Sequence, residues 1–409
     1  MGFRYKIALL NVLRNRRRSI LTLLAIQVAV VSLILFAGFV ASMFDGMREN
    51  MIRSQLGHLQ IYKSGFNQYG HIEPEKYLLT PEDVTKITRI VHTLPDVELM
   101  TPRLNFSGLL TNSNQSIAVV GIGIDPDEES LLSSAITITK GEDLFSQDQD
   151  GALLGEGLFN ALNTNIGDYL TLLSSTTDGS VNAIDIKVVG AINTGLRDID
   201  NRLIRINLPH AQDLQYTQGI SRLVILLSDT EQTQATLISL KQRFKQQGLD
   251  VEIKTWSQLA DYYHEVTKLF NGVFDFLQII VLFIAALSIA NTMMMAVMER
   301  TPEIGSIRAL GATRYEVMML FITEACYLGL IGSVIGVLLG ILLANGITAA
   351  DITMPTPPGS SQNYPIRIFI SWTILLQTAF TGTVVAVAAS IYPAFKASRL
   401  QINQAMRSV

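Results

Sequence analysis

Four long stretches of this chain carry almost no charge. Residues 19–43 contain none, 272–298 contain only Asp275, 317–346 only Glu324, and 368–392 none. Each exceeds the roughly 20 residues that a helix needs to cross a bilayer, so the pattern predicts four transmembrane helices. The first run follows a basic segment, as the core of a secretory leader does. It is too long for that, and no small-x-small cleavage site follows Met43, so it is expected to stay as an anchor.

Between the first two runs the pattern changes to short alternating stretches: HLQIYK, SIAVVGIGI, YLTLL, IDIKVVGAI, RLVILL and VEIK. Gly, Asp, Asn and Ser punctuate them, which reads as strands and turns. Helical spacing falls at Pro81–Leu94, with Thr80 as its cap, and at Glu231–Gln247. The expectation is an α+β domain over residues 44–271, in two lobes, because each helix lies beside strands of its own. Residues 3–17 set Phe3, Ile7, Leu10 and Leu13 against Arg4, Lys6, Asn11 and Arg14. That predicts a basic amphipathic helix over residues 1–18, lying in the interface. The loop over residues 347–367 holds MPTPPGSSQNYP, too rich in proline for a helix and too polar for lipid.

Charge adds an orientation. Basic residues cluster before the first run (Arg14, Arg16, Arg17, Arg18), between the second and third (Arg300, Arg308, Arg314), and after the fourth (Lys396, Arg399, Arg407). The positive-inside rule then places both termini and the segment 299–316 in the cytoplasm, and the α+β domain outside. Asp45–Lys268 carries 18 basic and 29 acidic residues, a balance that excludes nucleic acid as its partner. With only 16% charged residues and a mean hydropathy of +0.32, the whole fits a multi-pass membrane protein. Cys326, alone, lies in the third run and allows no intrachain disulfide.

Chemistry is sparse. The histidines share no metal-ligand spacing, and Asp125–Ser130, DPDEES, lacks the glycine and final glutamate of a calcium loop. No G-x-x-x-x-G-K-[ST] occurs, so no phosphate cradle, no catalytic residue and no cofactor are expected in this chain. The densest chemistry is MERTPEIGSIRALGATR, Met298–Arg314. Pro302 and Gly305 disfavour simple continuation of the second span, while Ile304, Ile307 and Leu310 recur at i, i+3, i+6. A short amphipathic helix held against the membrane is expected there, with Gly311 as its stop. Spacing alone leaves open whether this is an elbow that receives force or a mere turn. Glu324 fits either a gating contact or an acid near enough to the cytoplasmic edge to stay hydrated. Gly332, Gly336 and Gly340 form a small-xxx-small face for close helix packing, within the chain or across a dimer.

The run ERTPEIGSIRALGAT resembles the coupling segment of the permease family that includes MacB, the lipoprotein-release subunits LolC and LolE, and FtsX. The pattern E-R-x-x-E-I-G-x-x-R-A-x-G-A is met by Glu299, Arg300, Glu303, Ile304, Gly305, Arg308, Ala309, Gly311 and Ala312. ALLNVLRNRRRSILTLLAI is similar to the family's start, and GALLGEGLFNALNTNIGDYLTL with IDIKVVGAINTG to its outer-domain strand-helix-strand passage. YPAFKASRLQINQAMR resembles its closing segment, except that Asn403 stands where proline is usual.

The resemblance implies the permease subunit of an ABC transporter of the mechanotransmission type, in the bacterial inner membrane. Two permease subunits, alike or different, would pair, and two copies of a separate ATPase carrying ATP and Mg would dock on their coupling segments. Fused members place the ATPase before the first span, where this sequence has eighteen residues; a separate ATPase is therefore expected. Glu299, Arg300, Glu303, Ile304, Gly305, Ile307, Arg308, Leu310 and Gly311 are the expected coupling residues, with Glu303 and Arg308 as polar contacts. NTGLRDIDNRLIRINLPHAQDL resembles the lipoprotein-release subunits, which handle lipoprotein or lipid with a periplasmic carrier. The long hook by which one such subunit grips its carrier is replaced here by SSTTDGSVNA. MacB-like efflux through an adaptor and an outer-membrane duct is the alternative. FtsX-like control of a cell-wall hydrolase fits less well, because that outer domain is much smaller.

Overall fold

Helices form where the chain lacks charge, and the first two overrun the apolar runs that predict them. The computed structural model describes residues 16–70, 72–112, 115–354 and 364–400. Residues 1–15 of the expected interfacial helix, 355–363 of the proline-rich loop and 401–409 of the tail lie outside these. Among the described residues four helices are long and apolar enough to cross a membrane. They are Arg16–Met51 (span one), Asp261–Glu299 (span two), Arg314–Ala349 (span three) and Trp372–Ser398 (span four). Spans one and two have 36 and 39 residues. At about 1.5 Å per residue they outreach a hydrocarbon core of about 30 Å.

The chain divides into a membrane bundle and a domain inserted between spans one and two, built on Gly46–His264. The bundle core joins Ile26, Val30 and Ile34 of span one to Ile289 and Met293 of span two and Phe321 and Leu328 of span three. Gly332, Gly336 and Gly340 face span one of the same chain. A Cβ added at each would lie 2.9, 3.0 and 2.9 Å from Ile26, Val30 and Ile34 respectively. The small-residue face thus packs within the chain.

Among the described residues the inserted domain has ten strands in one sheet. In chain order they are β1 Leu59–Lys63, β2 Val97–Thr111, β3 Ser116–Ile124, β4 Thr137–Gly141 and β5 Gly151–Gly155. β6 Tyr169–Ser175, β7 Val181–Asn193, β8 Leu203–Asn207, β9 Arg222–Leu227 and β10 Val251–Thr255 follow. Spatially they run β10-β1-β9-β2-β3-β8-β5-β7-β4, while β6 pairs with both β2 and β7. The strands β2, β3, β8, β5, β7 and β6 therefore close a ring around Leu104, Phe106, Leu154, Leu172, Ile186 and Ile206. Closure leaves those six strands no open edge between them.

A second core lies on the open part of the sheet, β10-β1-β9 with the start of β2. The helices Pro81–Val91 and Thr233–Gln246 both cover it, through Ile87, Ile90, Leu237, Leu240 and Phe244. This corrects the expectation of one helix per lobe. Eight strands, β2 to β9, separate the two helices in sequence, yet they meet on one sheet because β9 and β10 return beside β1. Thr80 and Asp83 form the capping box that starts the first helix. Each Leu or Ile so buried contributes roughly 1.5–3 kcal/mol. At the far end of the ring, β6 and β7 form a short hairpin in which Ser175 opposes Val181. Thr176 N–H donates to the Ser180 carbonyl at 2.9 Å, so SSTTDGSVNA is a tight turn and not a hook.

His58, fully buried before β1, gives the domain a pH dependence. Its Nδ1 accepts from Leu227 N–H at 3.0 Å, and its Nε2 lies 2.9 Å from Thr230 Oγ1, which donates to Glu49 at 2.8 Å. The ring is therefore neutral with its proton on Nε2, and burial lowers its pKa from 6.5 to about 4. The unfolded chain takes up the proton first as pH falls. Stability is therefore complete above pH 6.5 and declines between 6.5 and about 4. The expected loss is on the order of 2 kcal/mol, allowing for partial hydration of the ring. Thermal unfolding of His58→Gln against wild type across that range measures it. Parallel pH profiles for the two proteins would rule His58 out as the cause.

Candidate functional site

Span two stops at Glu299 because the next residues favour a new start. Arg300 leaves helical geometry (φ −96°, ψ 12°), and Pro302, which has no N–H to lose, sits in the first turn of the helix Thr301–Ala309. That helix ends in paired backbone bonds: Ala312 N–H to the Ile307 carbonyl at 3.3 Å, and Gly311 N–H to the Arg308 carbonyl at 3.1 Å. The geometry requires a left-handed residue, and Gly311 supplies it with φ +102°. Span three begins at once, from a capping box of Thr313 and Glu316. The segment between spans two and three is thus a nine-residue helix fixed by backbone chemistry at both ends.

Its charges fasten it to the rest of the bundle. Glu299 pairs with Arg18 at the start of span one. Arg300 Nη1 donates to Glu324 Oε2 of span three at 2.9 Å. Arg308 donates through Nη1 to the Leu400 carbonyl, just past span four. Three charged residues between the end of span two and the end of the short helix therefore reach span one, span three and the residues just past span four. Glu324 is only 5% exposed, so the reading of a hydrated acid at the membrane edge is replaced by that of a buried ion pair. Arg300 is equally enclosed, at 7%.

The apolar residues divide differently from their spacing. Ile304 and Gly305 are buried, but Ile307 is 43% and Leu310 89% exposed. Positions i, i+3 and i+6 spread over roughly 120° of a helix of 3.6 residues per turn, so a surface that covers Ile304 need not cover the other two. Ile304 thus packs in the bundle core, while Ile307 and Leu310 lie on the side of the segment that the bundle does not cover. Glu303, Ser306, Ile307, Ala309 and Leu310 form the exposed side of the segment. Arg308 is half-buried, with its guanidinium directed to Leu400. Sequence reading missed Arg18, Leu400 and the Thr313–Glu316 box. Only the last had a signal, a Thr-x-x-Glu just before an apolar run.

A cavity of about 570 Å³ lies between spans one, two and four. Phe36, Phe44, Phe274 and Val281 wall it, and Asn271, Asp275, Gln278 and Gln377 add polar groups. Phe36 and Phe274 meet edge to face, 4.9 Å between centroids. An apolar chamber with a few polar groups suits an amphiphile.

Two family models match the chain: a MacB-like periplasmic core domain over residues 19–243 and an FtsX-like permease C-terminal domain over residues 276–402. A lipoprotein-releasing system transmembrane protein LolC of Neisseria meningitidis serogroup B is 24% identical, over 96% of this chain and 95% of that one. A LolE of Haemophilus influenzae is 24% identical over 77% of this chain and 78% of that protein. A macrolide export ATP-binding/permease protein MacB of Campylobacter jejuni is 23% identical, over 86% of this chain but 55% of the longer relative.

Proposed function

Starting from a chain that belongs to the ABC transporter permeases with a MacB-like periplasmic core and an FtsX-like C-terminal part, we propose that it transmits force. A separate ATPase subunit, in two copies, docks on the segment Thr301–Ala309 of each of two paired permease subunits. Hydrolysis then moves the periplasmic domain and draws lipoprotein or lipid out of the bacterial inner membrane. ATP and Mg reside on the ATPase, and this chain contributes no catalytic group.

The observation that carries this reading is the two-sided coupling helix. One side is bound to the bundle through Ile304 in its core and Arg308 at the Leu400 carbonyl, and the junction just before the helix is tied to spans one and three through Glu299 and Arg300. The other side leaves Leu310 89% exposed beside Glu303 and Ile307. A partner pressing on the exposed side would move the whole bundle. The chamber walled by Phe36, Phe44 and Phe274 supports an amphiphilic cargo. The tight β6–β7 turn favours, as the second reading, MacB-like efflux through an adaptor, since it offers no hook for a soluble carrier.

Glu303→Arg is expected to leave the protein inserted and paired, with ATPase activity retained but transport reduced at least about tenfold, the equivalent of some 1.4 kcal/mol. Reconstitution with the ATPase in proteoliposomes measures both rates. Transport at the wild-type rate would remove the coupling role from this face. Mass spectrometry of the gently purified native complex separates the two cargo readings. Acylated lipoprotein beside the ATPase supports extraction; an adaptor with an outer-membrane channel supports efflux.

A further inference from the structure

Span one does not simply end where the inserted domain begins. Its helix continues into a π-helical turn, Ile52–Leu56, with Ile52 and Ser54 buried at 0% and 1% exposure. The last carbonyls of a helix normally lack partners, yet here five consecutive ones are all occupied. Ile52 accepts from Gly57 N–H at 2.9 Å and Arg53 from Ala135 N–H at 3.3 Å. Ser54 accepts from Arg205 Nη2 at 3.1 Å, Gln55 from Arg103 Nη1, and Leu56 from Gln60 Nε2 at 2.7 Å. Gly57 is the residue that follows the turn and Ala135 precedes β4, while the three side-chain donors come from β8, β2 and β1, so the domain holds the helix end from several elements at once.

The two arginines are themselves fixed. Arg103 and Arg205 are 0% and 3% exposed, and Glu129, 2% exposed, pairs with both. Arg103 Nε donates to Glu129 at 3.1 Å, and Ser133 Oγ bridges by donating to Glu129 at 2.7 Å and accepting from Arg205 at 2.9 Å. Two cations at the negative end of a long helix also suit its dipole. Buried guanidiniums cost much to place, and here they bind main-chain carbonyls instead of a surface ligand.

The other connection is built differently. After β10, the short helix Trp256–Leu259 is capped by Thr255, and Ala260 then breaks the helix (φ −99°, ψ 55°) before span two starts at Asp261. Asp261, Tyr262, His264 and Glu265 are exposed. Trp256 packs against the cluster of Ile52, Val224 and Leu226 and its main-chain N–H donates to the His58 carbonyl at 3.0 Å, so the domain's hold reaches the buried Ala260. Beyond it the contacts include Trp256 with Tyr263 and His264 with Ser257, both within the connection itself.

We infer that the two connections are mechanically unequal: span one drives the inserted domain through a rigid socket made by Arg103, Arg205, Glu129 and Gln60, and span two follows through a hinge at Ala260. The inference rests on the force-transmitting function proposed above. It assigns Arg103 and Arg205 as positioning residues for that motion.

The test uses the full chain with its ATPase in nanodiscs, carrying Cys326→Ser and spin labels at Ile238→Cys and Ala349→Cys. Three glycines inserted between Met51 and Ile52 cut the drive and leave the socket filled. The same insertion between Ala260 and Asp261 lengthens the hinge. The first is expected to abolish the ATP-dependent change in label distance and transport together, with protease resistance of the inserted domain retained. The second is expected to keep both within about twofold. Arg205→Met, which leaves chain length unchanged, is expected to lose the distance change as the first insertion does, and Arg205→Lys to retain part of it. Equal effects of the two insertions, or a greater loss from the second, would overturn the inference. A wild-type complex that shows no ATP-dependent distance change would instead overturn the force-transmitting reading, and this inference with it.

Discussion

Arg300→Met is expected to cost the membrane bundle about 3–5 kcal/mol and to abolish transport, because it leaves the enclosed Glu324 without its hydrogen-bonded cation. The pair is 2.9 Å apart with both side chains below one-tenth exposed. An unpaired acid in this position is costly whether lipid or protein surrounds it. Removing both charges has a different consequence. Arg300→Met with Glu324→Leu fills similar volume without a buried charge, and such replacements are often neutral or stabilising. The double variant is therefore expected to regain the wild-type unfolding midpoint in detergent. It is not expected to regain transport. Arg300 is the first residue after span two and Glu324 lies in span three, so the pair keeps the coupling helix from turning independently of the span that follows. ATPase activity persisting without transport in the stable double variant is the expected signature. Full transport there would reduce the ion pair to a structural element that two apolar residues replace.

What the sequence made legible follows from whether a signal is local. Spans are local, since twenty or more uncharged residues leave few alternatives to a membrane helix. The strands HLQIYK, SIAVVGIGI and RLVILL were readable from alternation or apolar runs, and they are β1, β3 and β9. β2 and β8 were not read as strands, and both carry a buried arginine. Arg103 follows Pro102, which by itself argues against a central strand, and Arg205 interrupts LIRIN, every residue of which is buried. An arginine reads as a solvent-facing residue unless its partner is known. That partner, Glu129, stands in DPDEES, whose composition reads as a hydrated turn. Only the fold brings it to Arg103 and Arg205, where their charges outweigh the burial that would raise its pKa and hold the carboxyl below its ordinary value.

The coupling segment shows the same division at smaller scale. The break after Glu299, the proline start and the glycine stop are backbone signals, and the helix Thr301–Ala309 obeys all three. The division between Ile304 and the uncovered Ile307 and Leu310 was not legible, because a three-residue repeat drifts around the helix and no neighbour in sequence says which side the bundle covers. Charged residues misled in the opposite sense: Arg308 reads as an outward contact, yet it is used to cap the end of span four through Leu400. A charge in a short cytoplasmic segment can serve the bundle as readily as a partner, and the two uses differ only in what lies within reach of the side chain.

Gly336→Leu is expected to lower the stability of the bundle by about 3 kcal/mol, the upper part of the usual range for an overfilled core. A Cβ there would stand 3.0 Å from Val30 Cβ and 3.3 Å from Gln27 Cα, one of them backbone of span one. Val30 itself is fully buried, and Gly382 of span four approaches it from another side, so it has no room to retreat. Spans one and three must then separate. In lipid this is costly because helices associate through close packing and not through exclusion of water. Adding Val30→Ala takes away the side-chain carbons but not Gln27 Cα, so it is expected to restore only part of the loss. Gly346, on the same helix, has nothing within 4 Å of an added Cβ. Gly346→Leu is accordingly expected to change stability by less than about 0.5 kcal/mol. Unfolding midpoints of the four purified proteins decide the matter. If Gly336→Leu and Gly346→Leu were equally harmless, the glycine face would not be what holds span one to span three. A loss at position 336 that Val30→Ala partly repairs would show that the contact lies within one chain, since a clash with a second subunit's helix would be unaffected by trimming span one.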